Sequence, residues 1–374
     1  MNKSEEISAK TARVVNLLAA KNLGGVLVSL QPNFSWLTAG GANGIDLSRE
    51  AGAGALLVRN DGKCFVLANR IEMPRLLSEE LAGEDFEPVE FSWEEEKASS
   101  TFLSDRARSL LSNGALLGSD IAIGSEVMLV ESELAHCRYE LTRSEIERLR
   151  LIAGDAARAV AKLARTLVPG ETEREIARRV ADALAVHDLH LVVNLVAADE
   201  RIQKYRHPLP TDCRWKKIVM IVVCVRRGGL IASFTRIVAS GAISDDLRRR
   251  TLAAARVNAQ LMAATLPVTS GADLYQLAAR TYAAEGFENE ERLHHQGGAT
   301  GYRTRDWIAH PASTERVQVN QAFAWNPSVT GTKVEETCIA FADGVEVLTA
   351  TPDWPQIPIR INDREYLSPD ILVL

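Results

Sequence analysis

Near residue 140 the chain changes character, and that change constrains the fold more than any other feature. The stretch LTRSEIERLRLIAGDAARAVAKLARTLVPG repeats apolar residues at helical spacing until Pro169-Gly170 stops it, and EREIARRVADALAVH then starts a second helix at once. Thr172 with Glu175 three residues later reads as a capping box for the second helix, and Ser144 with Glu147 has the same arrangement at the first. Strand-like runs follow at 191–197, at 217–225 (KIVMIVVCV) and at 229–239, then helices near 244–266 and 272–285 and strand-rich segments from 316 onward. That order predicts an α+β unit. We place a boundary near 138, which divides 374 residues into domains 1–138 and 139–374, both within the usual domain range.

The first third reads as a small α/β domain. Residues 8–23 have helical spacing, and GGVLVSL (Gly24–Leu30) is a buried strand expected to end in a turn at Gln31, Pro32 and Asn33. Two apolar runs between Gly54 and Ala68 flank Asn60-Asp61-Gly62, residue types that tolerate the positive φ of a tight hairpin turn. Further strand-like pieces lie at Phe86–Phe91 and Asp120–Ile123.

Hydrophobic residues at 46% and charged residues at 25% exclude wholesale disorder. Lys and Arg number 43 against 49 Asp and Glu, a formal charge of -6, so no basic field exists to attract nucleic acid. The first ten residues, MNKSEEISAK, lack the apolar run of a secretory signal, and no stretch reaches a membrane-spanning length of apolar residues. A cytoplasmic protein without membrane or nucleic-acid partners is expected. The five cysteines, Cys64, Cys137, Cys213, Cys224 and Cys338, form no CxxC pair, which indicates neither a disulfide framework nor a thiolate zinc site. Gly297, Gly298 and Gly301 lie outside any GxGxxG or GxxxxGK pattern, so no nucleotide cofactor is indicated.

Six strings in order carry a resemblance: SEIERLR, LVPGETEREIA, His207-x-x-Pro210, GLIASFTR (229–236), HHQGGATGY (294–302) and AWNPSVTGTKVEET (324–337). The chain from 140 to 350 resembles the pita-bread catalytic domain shared by aminopeptidase P, prolidase, methionine aminopeptidase and creatinase. Its first third is similar to the small N-terminal domain of the creatinase and aminopeptidase P branch. The resemblance implies a homodimer and a small-molecule or short-peptide ligand.

Active members of that group hold two divalent metals with two Asp, one His and two Glu. Carried over by motif, those positions fall on Val222, Ser233, Gly298, Asn326 and Glu335. Only Glu335 keeps a carboxylate, and between 205 and 244 only Asp212, which precedes the strand, is acidic before Asp245. One carboxylate does not replace a hydration shell, since catalytic sites supply about three protein ligands. No catalytic metal is therefore expected.

The candidate catalytic groups are His207 and Glu335. The resemblance to creatinase, which works without metal, implies proton transfer at His207, and an imidazole suits it; the alternative is a capping or packing role. Glu335 is either paired with an Arg that replaces the ion or free to receive a cationic substrate group. His294, Arg305, Asn326 and Arg236 are the candidate substrate-binding residues. For His294 the alternative is a core position, for Asn326 satisfaction of nearby backbone, and His295 is expected to pack. Three functions follow: a metal-independent creatinase-like hydrolase of a C–N bond (amide, amidino or Xaa-Pro-like) in a small polar substrate; a non-catalytic module binding a peptide or small ligand; or an Xaa-Pro aminopeptidase or dipeptidase.

Overall fold

The computed structural model of the protein describes residues 1–46 and 48–374. They form two compact units, one of residues 1–138 with 142–144, the other of 139–141 with 145–374.

The first unit is a six-stranded mixed sheet in the spatial order Glu87–Phe91, Cys64–Asn69, Ala51–Arg59, Gly25–Leu30, Leu117–Ser119, Val127–Leu129, with helix Lys3–Lys21 preceding it in sequence. The hairpin at Asn60-Asp61-Gly62 forms as expected, closed by Arg59 N donating to Lys63 O (2.9 Å) with Gly62 at φ +85°. Two local expectations change. Gln31–Leu37 is a helix rather than a turn, because Pro32 falls in its first turn, where its preset φ suits helix and its missing N–H costs nothing. Asp120–Ile123 is not a strand. Asp120 turns inward instead, and its carboxylate accepts from Ser29 N (2.8 Å), Leu30 N (2.9 Å) and Asn33 Nδ2 (3.0 Å). Burial pushes its pKa up to about 6.

The second unit opens on helices Arg143–Ala164 and Glu173–Ala185. Thr172 caps the latter in a full capping box, Glu175 N donating to its hydroxyl (3.1 Å) while Thr172 N donates to Glu175 Oε2 (2.7 Å). The first helix begins two residues earlier than its box predicts, so Ser144 lies in its first turn and donates to Met1 O (2.9 Å) instead of capping.

Two sheets make the core of this unit. One has the order Leu372–Val373, Leu230–Ala239, Ile218–Arg227, His190–Ala198; the other Trp307–Ile308, Gly297–Thr300, Ala322–Trp325, Glu336–Phe341, Gly344–Val347. Both faces of Ile218–Arg227 are covered, Val219, Ile221, Val223 and Val225 on one and Met220, Val222 and Cys224 on the other, which is why that segment reads as one unbroken apolar run. The sheets are stitched by polar contacts: Thr235 N donates to Glu335 O (3.2 Å), Ser233 N to Thr337 Oγ1 (2.8 Å), and Thr337 Oγ1 to Ser233 O (2.8 Å). This joint positions the candidate site. Among the described residues no helix is long and apolar enough to cross a membrane.

Candidate functional site

The strand pair Ile218–Arg227 and Leu230–Ala239 supplies one wall. Its register sets Met220 opposite Ile237, Val222 opposite Thr235 and Cys224 opposite Ser233. Met220, Val222 and Ile237 join an apolar cluster with Leu195, Ala197, Ile202 and Ile371. One step along, the wall turns polar: Ser233 Oγ donates to Cys224 Sγ (3.2 Å) and Thr235 Oγ1 donates to Glu335 Oε2 (2.8 Å).

Glu335 is 2% exposed and fully paired. Arg305 Nη2 lies 3.1 Å from Oε1, and Lys333 Nζ lies 3.0 Å from Oε2, both cations nearly as buried as the carboxylate. Burial alone would raise its pKa, but Lys333 and Arg305 together with the bonds from Lys333 and Thr235 outweigh that and hold it down at about 2. Glu335 is thus ionised and not free. Two cations against one anion leave this group with one excess positive charge. Lys333 escaped the sequence analysis, although it stands two residues from Glu335, the spacing at which extended chain presents both side chains to one face.

Beside this group three imidazoles meet. His207 Nε2 lies 3.0 Å from His294 Nε2, and the His294 and His295 rings stack with centroids 4.5 Å apart. His207 is exposed, His295 partly buried and His294 buried at 7% exposure. Burial first, then the charge of Lys333, lowers the pKa of His207, and takes that of His294 to about 2. Burial, then Arg305 and Lys333, takes His295 to about 4. All three are neutral at neutral pH. The Nδ1 atoms of His294 and His295 are buried without a hydrogen-bond partner.

The segments carrying these rings share one anchor. Arg206 donates to Glu290 Oε2 (2.5 Å), Ser328 Oγ (3.1 Å) and Thr330 Oγ1 (2.9 Å), while Glu290 opens the short helix Glu290–Arg292 that leads to His294. A single half-buried ion pair therefore fixes the loop before His207 against the loop before His294, which no local sequence signal announces. The space bounded by Met220, His294, Ser328 and Lys333 amounts to about 10 Å³, about one water's worth.

Two other expected positions behave differently. Arg236 is committed to Glu336 (2.9 Å) and to the carbonyls of Thr235 (2.8 Å) and Thr349 (2.6 Å), between the faces of Phe234 and Trp354. Both of its Nη atoms are taken by these partners, so Arg236 packs rather than contacting substrate. Asn326 is 3% exposed; its backbone N donates to Gln296 O (3.0 Å), but its Oδ1 is buried without a partner. Backbone satisfaction does not account for that amide. At Gly298 the strand backbones approach so closely that a Cβ would collide with the Trp307 carbonyl oxygen and lie 2.9 Å from Ile308 Cα.

The sequence profile of metallopeptidase family M24 matches residues 147–361, more than half of the chain and all the residues of this group. The chain belongs to family M24. Its pita-bread fold, expected from the resemblance to aminopeptidase P, prolidase and creatinase, is shared by solved structures over nearly its whole length. A prolidase from Thermococcus sibiricus matches at TM-score 0.79 and 17% identity, covering 100% of both chains. Dipeptidase PepE from Mycobacterium ulcerans matches at TM-score 0.78 and 16% identity, covering 94% of this chain and 97% of its own. An X-Pro aminopeptidase from Thermotoga maritima matches at TM-score 0.75 and 14% identity, covering 97% and 99%. At such identities the likeness concerns the fold alone. No curated protein matches the sequence significantly. Within this M24 chain the structure brings His207, His294, Arg305 and Glu335 together, adds Lys333 and His295, and sets Arg236 apart.

Proposed function

We propose that this M24 chain is a hydrolase of a C–N bond in a small polar substrate, amide, amidino or Xaa-Pro-like, and that it works without the paired dications of its family. The donors present do not fit that pair. Val222 contributes apolar surface, the Ser233 hydroxyl is engaged with Cys224, Gly298 has no room for any side chain, and Asn326 is neutral. Glu335 already carries two cations, so a metal there would have to displace Lys333 or Arg305 or sit against them. Hard-cation sites are built from several anionic oxygens, and one shared carboxylate falls short.

The observation that carries the reading is Glu335 held by Lys333 and Arg305 beside the neutral His207–His294 pair. Hydrolysis needs a base for water and positive charge where the oxyanion develops. His207, exposed at the mouth and unprotonated, takes the proton as the water oxygen bonds to the carbonyl or amidino carbon. The excess positive charge of Lys333 and Arg305 stabilises the negative charge that then forms. As the C–N bond breaks, His207 returns the proton to the leaving nitrogen. His294, bonded to His207, orients the ring, and the unpartnered Asn326 Oδ1 offers an acceptor for a substrate N–H.

The test is a panel of small amides, guanidino acids and Xaa-Pro dipeptides assayed with chelator-treated protein and with His207→Ala. Turnover that survives chelation and vanishes in a folded His207→Ala supports the proposal. Turnover abolished by chelation and restored by Mn²⁺ or Co²⁺ overturns it in favour of a conventional Xaa-Pro peptidase. Ligand binding equal in both proteins with no turnover in either overturns it in favour of a non-catalytic binder.

A further inference from the structure

His207, His294 and His295 bring one ring nitrogen each to within 4.8 Å of one another. We propose that this imidazole trio binds one borderline transition-metal ion, zinc foremost, at a site separate from the carboxylate positions of the family. Three imidazoles with an open fourth position are a recurring donor set for zinc, while magnesium and calcium require oxygen ligands. The 3.0 Å between His207 Nε2 and His294 Nε2 is close to the edge of a tetrahedron with zinc–nitrogen bonds, about 3.3 Å.

Two further observations bear on the site. His294, more than nine-tenths buried, bonds through Nε2 only to the His207 imidazole, and its Nδ1 and that of His295 have no partner, so neither ring is satisfied as a packing histidine normally is. The trio is also held in place beforehand, because the Arg206–Glu290 pair pins both loops that carry it. Binding therefore orders little that is not already ordered.

The neighbouring charges shape what binds. Lys333 and Arg305 face the trio and Glu335 offsets one of them, so a dication here meets a net positive surround. An anionic fourth ligand, chloride, hydroxide or a carboxylate, is the natural complement. Because the ion engages His207, it removes the proton acceptor of the proposed hydrolysis, and zinc inhibits turnover. That last consequence rests on the proposed function; the binding does not.

The experiment is titration of the metal-free full-length protein with Zn²⁺ by calorimetry and with Co²⁺ by visible absorption. One ion per chain is expected, with tetrahedral Co²⁺ bands. His207→Ala, on an exposed loop and so expected to fold, weakens Zn²⁺ binding about tenfold or more, as does His295→Gln, while Ser233→Ala and Asn326→Ala leave it within about twofold. The absence of Zn²⁺ binding overturns the proposal. So does binding that His207→Ala and His295→Gln leave intact or that Ser233→Ala or Asn326→Ala abolishes. Zinc binding without any turnover upholds this site while defeating the proposed hydrolase; metal-free turnover without zinc binding does the reverse.

Discussion

Replacing Glu335 by Gln tests the pairing of this carboxylate with Lys333 and Arg305 most directly. The change keeps shape and removes only the charge, leaving Lys333 and Arg305 as two buried cations with no counter-charge. At 3.0 Å and an effective dielectric near 20, the attraction to Lys333 alone is about 5 kcal/mol. That gross figure is reduced by relaxation and by water reaching the site. Breaking a buried pair by removing one partner costs about 3–5 kcal/mol, and here two cations lose their partner. For a domain of this size, about 2–4 °C of melting temperature per kcal/mol gives a fall of about 6–20 °C by calorimetry or dye-monitored melting. Adding Lys333→Met removes one stranded charge, so Glu335→Gln/Lys333→Met should recover roughly half of the loss. A Glu335→Gln protein melting within about 2 °C of wild type, the scale of a surface change, would refute the reasoning. It would mean that the Glu335–Lys333–Arg305 group is hydrated and that its charges are already screened.

Two more outcomes follow from the same geometry. Below the usual histidine pKa of about 6.5 the unfolded chain takes up protons that folded His294 and His295 refuse until about pH 2 and about pH 4, so stability falls with decreasing pH by up to about 1.4 kcal/mol per unit for each group. The depressed Glu335 acts lower, its contribution being complete above about pH 4.3 and lost as pH falls towards 2. Urea unfolding of wild type and His294→Phe between pH 7 and 4.5 should show a flatter profile in the variant, and parallel profiles count against the burial argument. Gly298→Ala should destabilise by about 2 kcal/mol or more through collision with the Trp307 carbonyl, and Gly298→His, which puts an imidazole where the motif match implies the family's metal His, should fail to accumulate folded protein. A stable Gly298→His that binds metal would show that the strands can part there.

What could be read in advance follows from how local each signal is. The Thr172–Glu175 box and the Asn60-Asp61-Gly62 hairpin are fixed by side chain and backbone within four residues, and the structure bears out both. The unbroken apolar run at 217–225 marked a strand covered on both faces for the same reason: burial is written into each residue. Asp120–Ile123 departs from a strand because the partners of Asp120 lie far off in sequence, as the bonds from Ser29 and Leu30 show, whereas at Gln31–Leu37 the proline is local but suits a first helical turn as well as a tight turn. The site divides along the same line. His207, His294, Arg305 and Glu335 came from motif matches, and their meeting was not visible in any one segment. Lys333 is not among the arginines that the sequence offers as a replacement for the ion, although its period-two spacing from Glu335 names it as readily. A carboxylate kept as deeply buried as Glu335 must be neutralised by its surroundings. At such a position the informative question is which cation stands two residues away on an extended segment, and here that residue is Lys333, 3.0 Å from the carboxylate it neutralises.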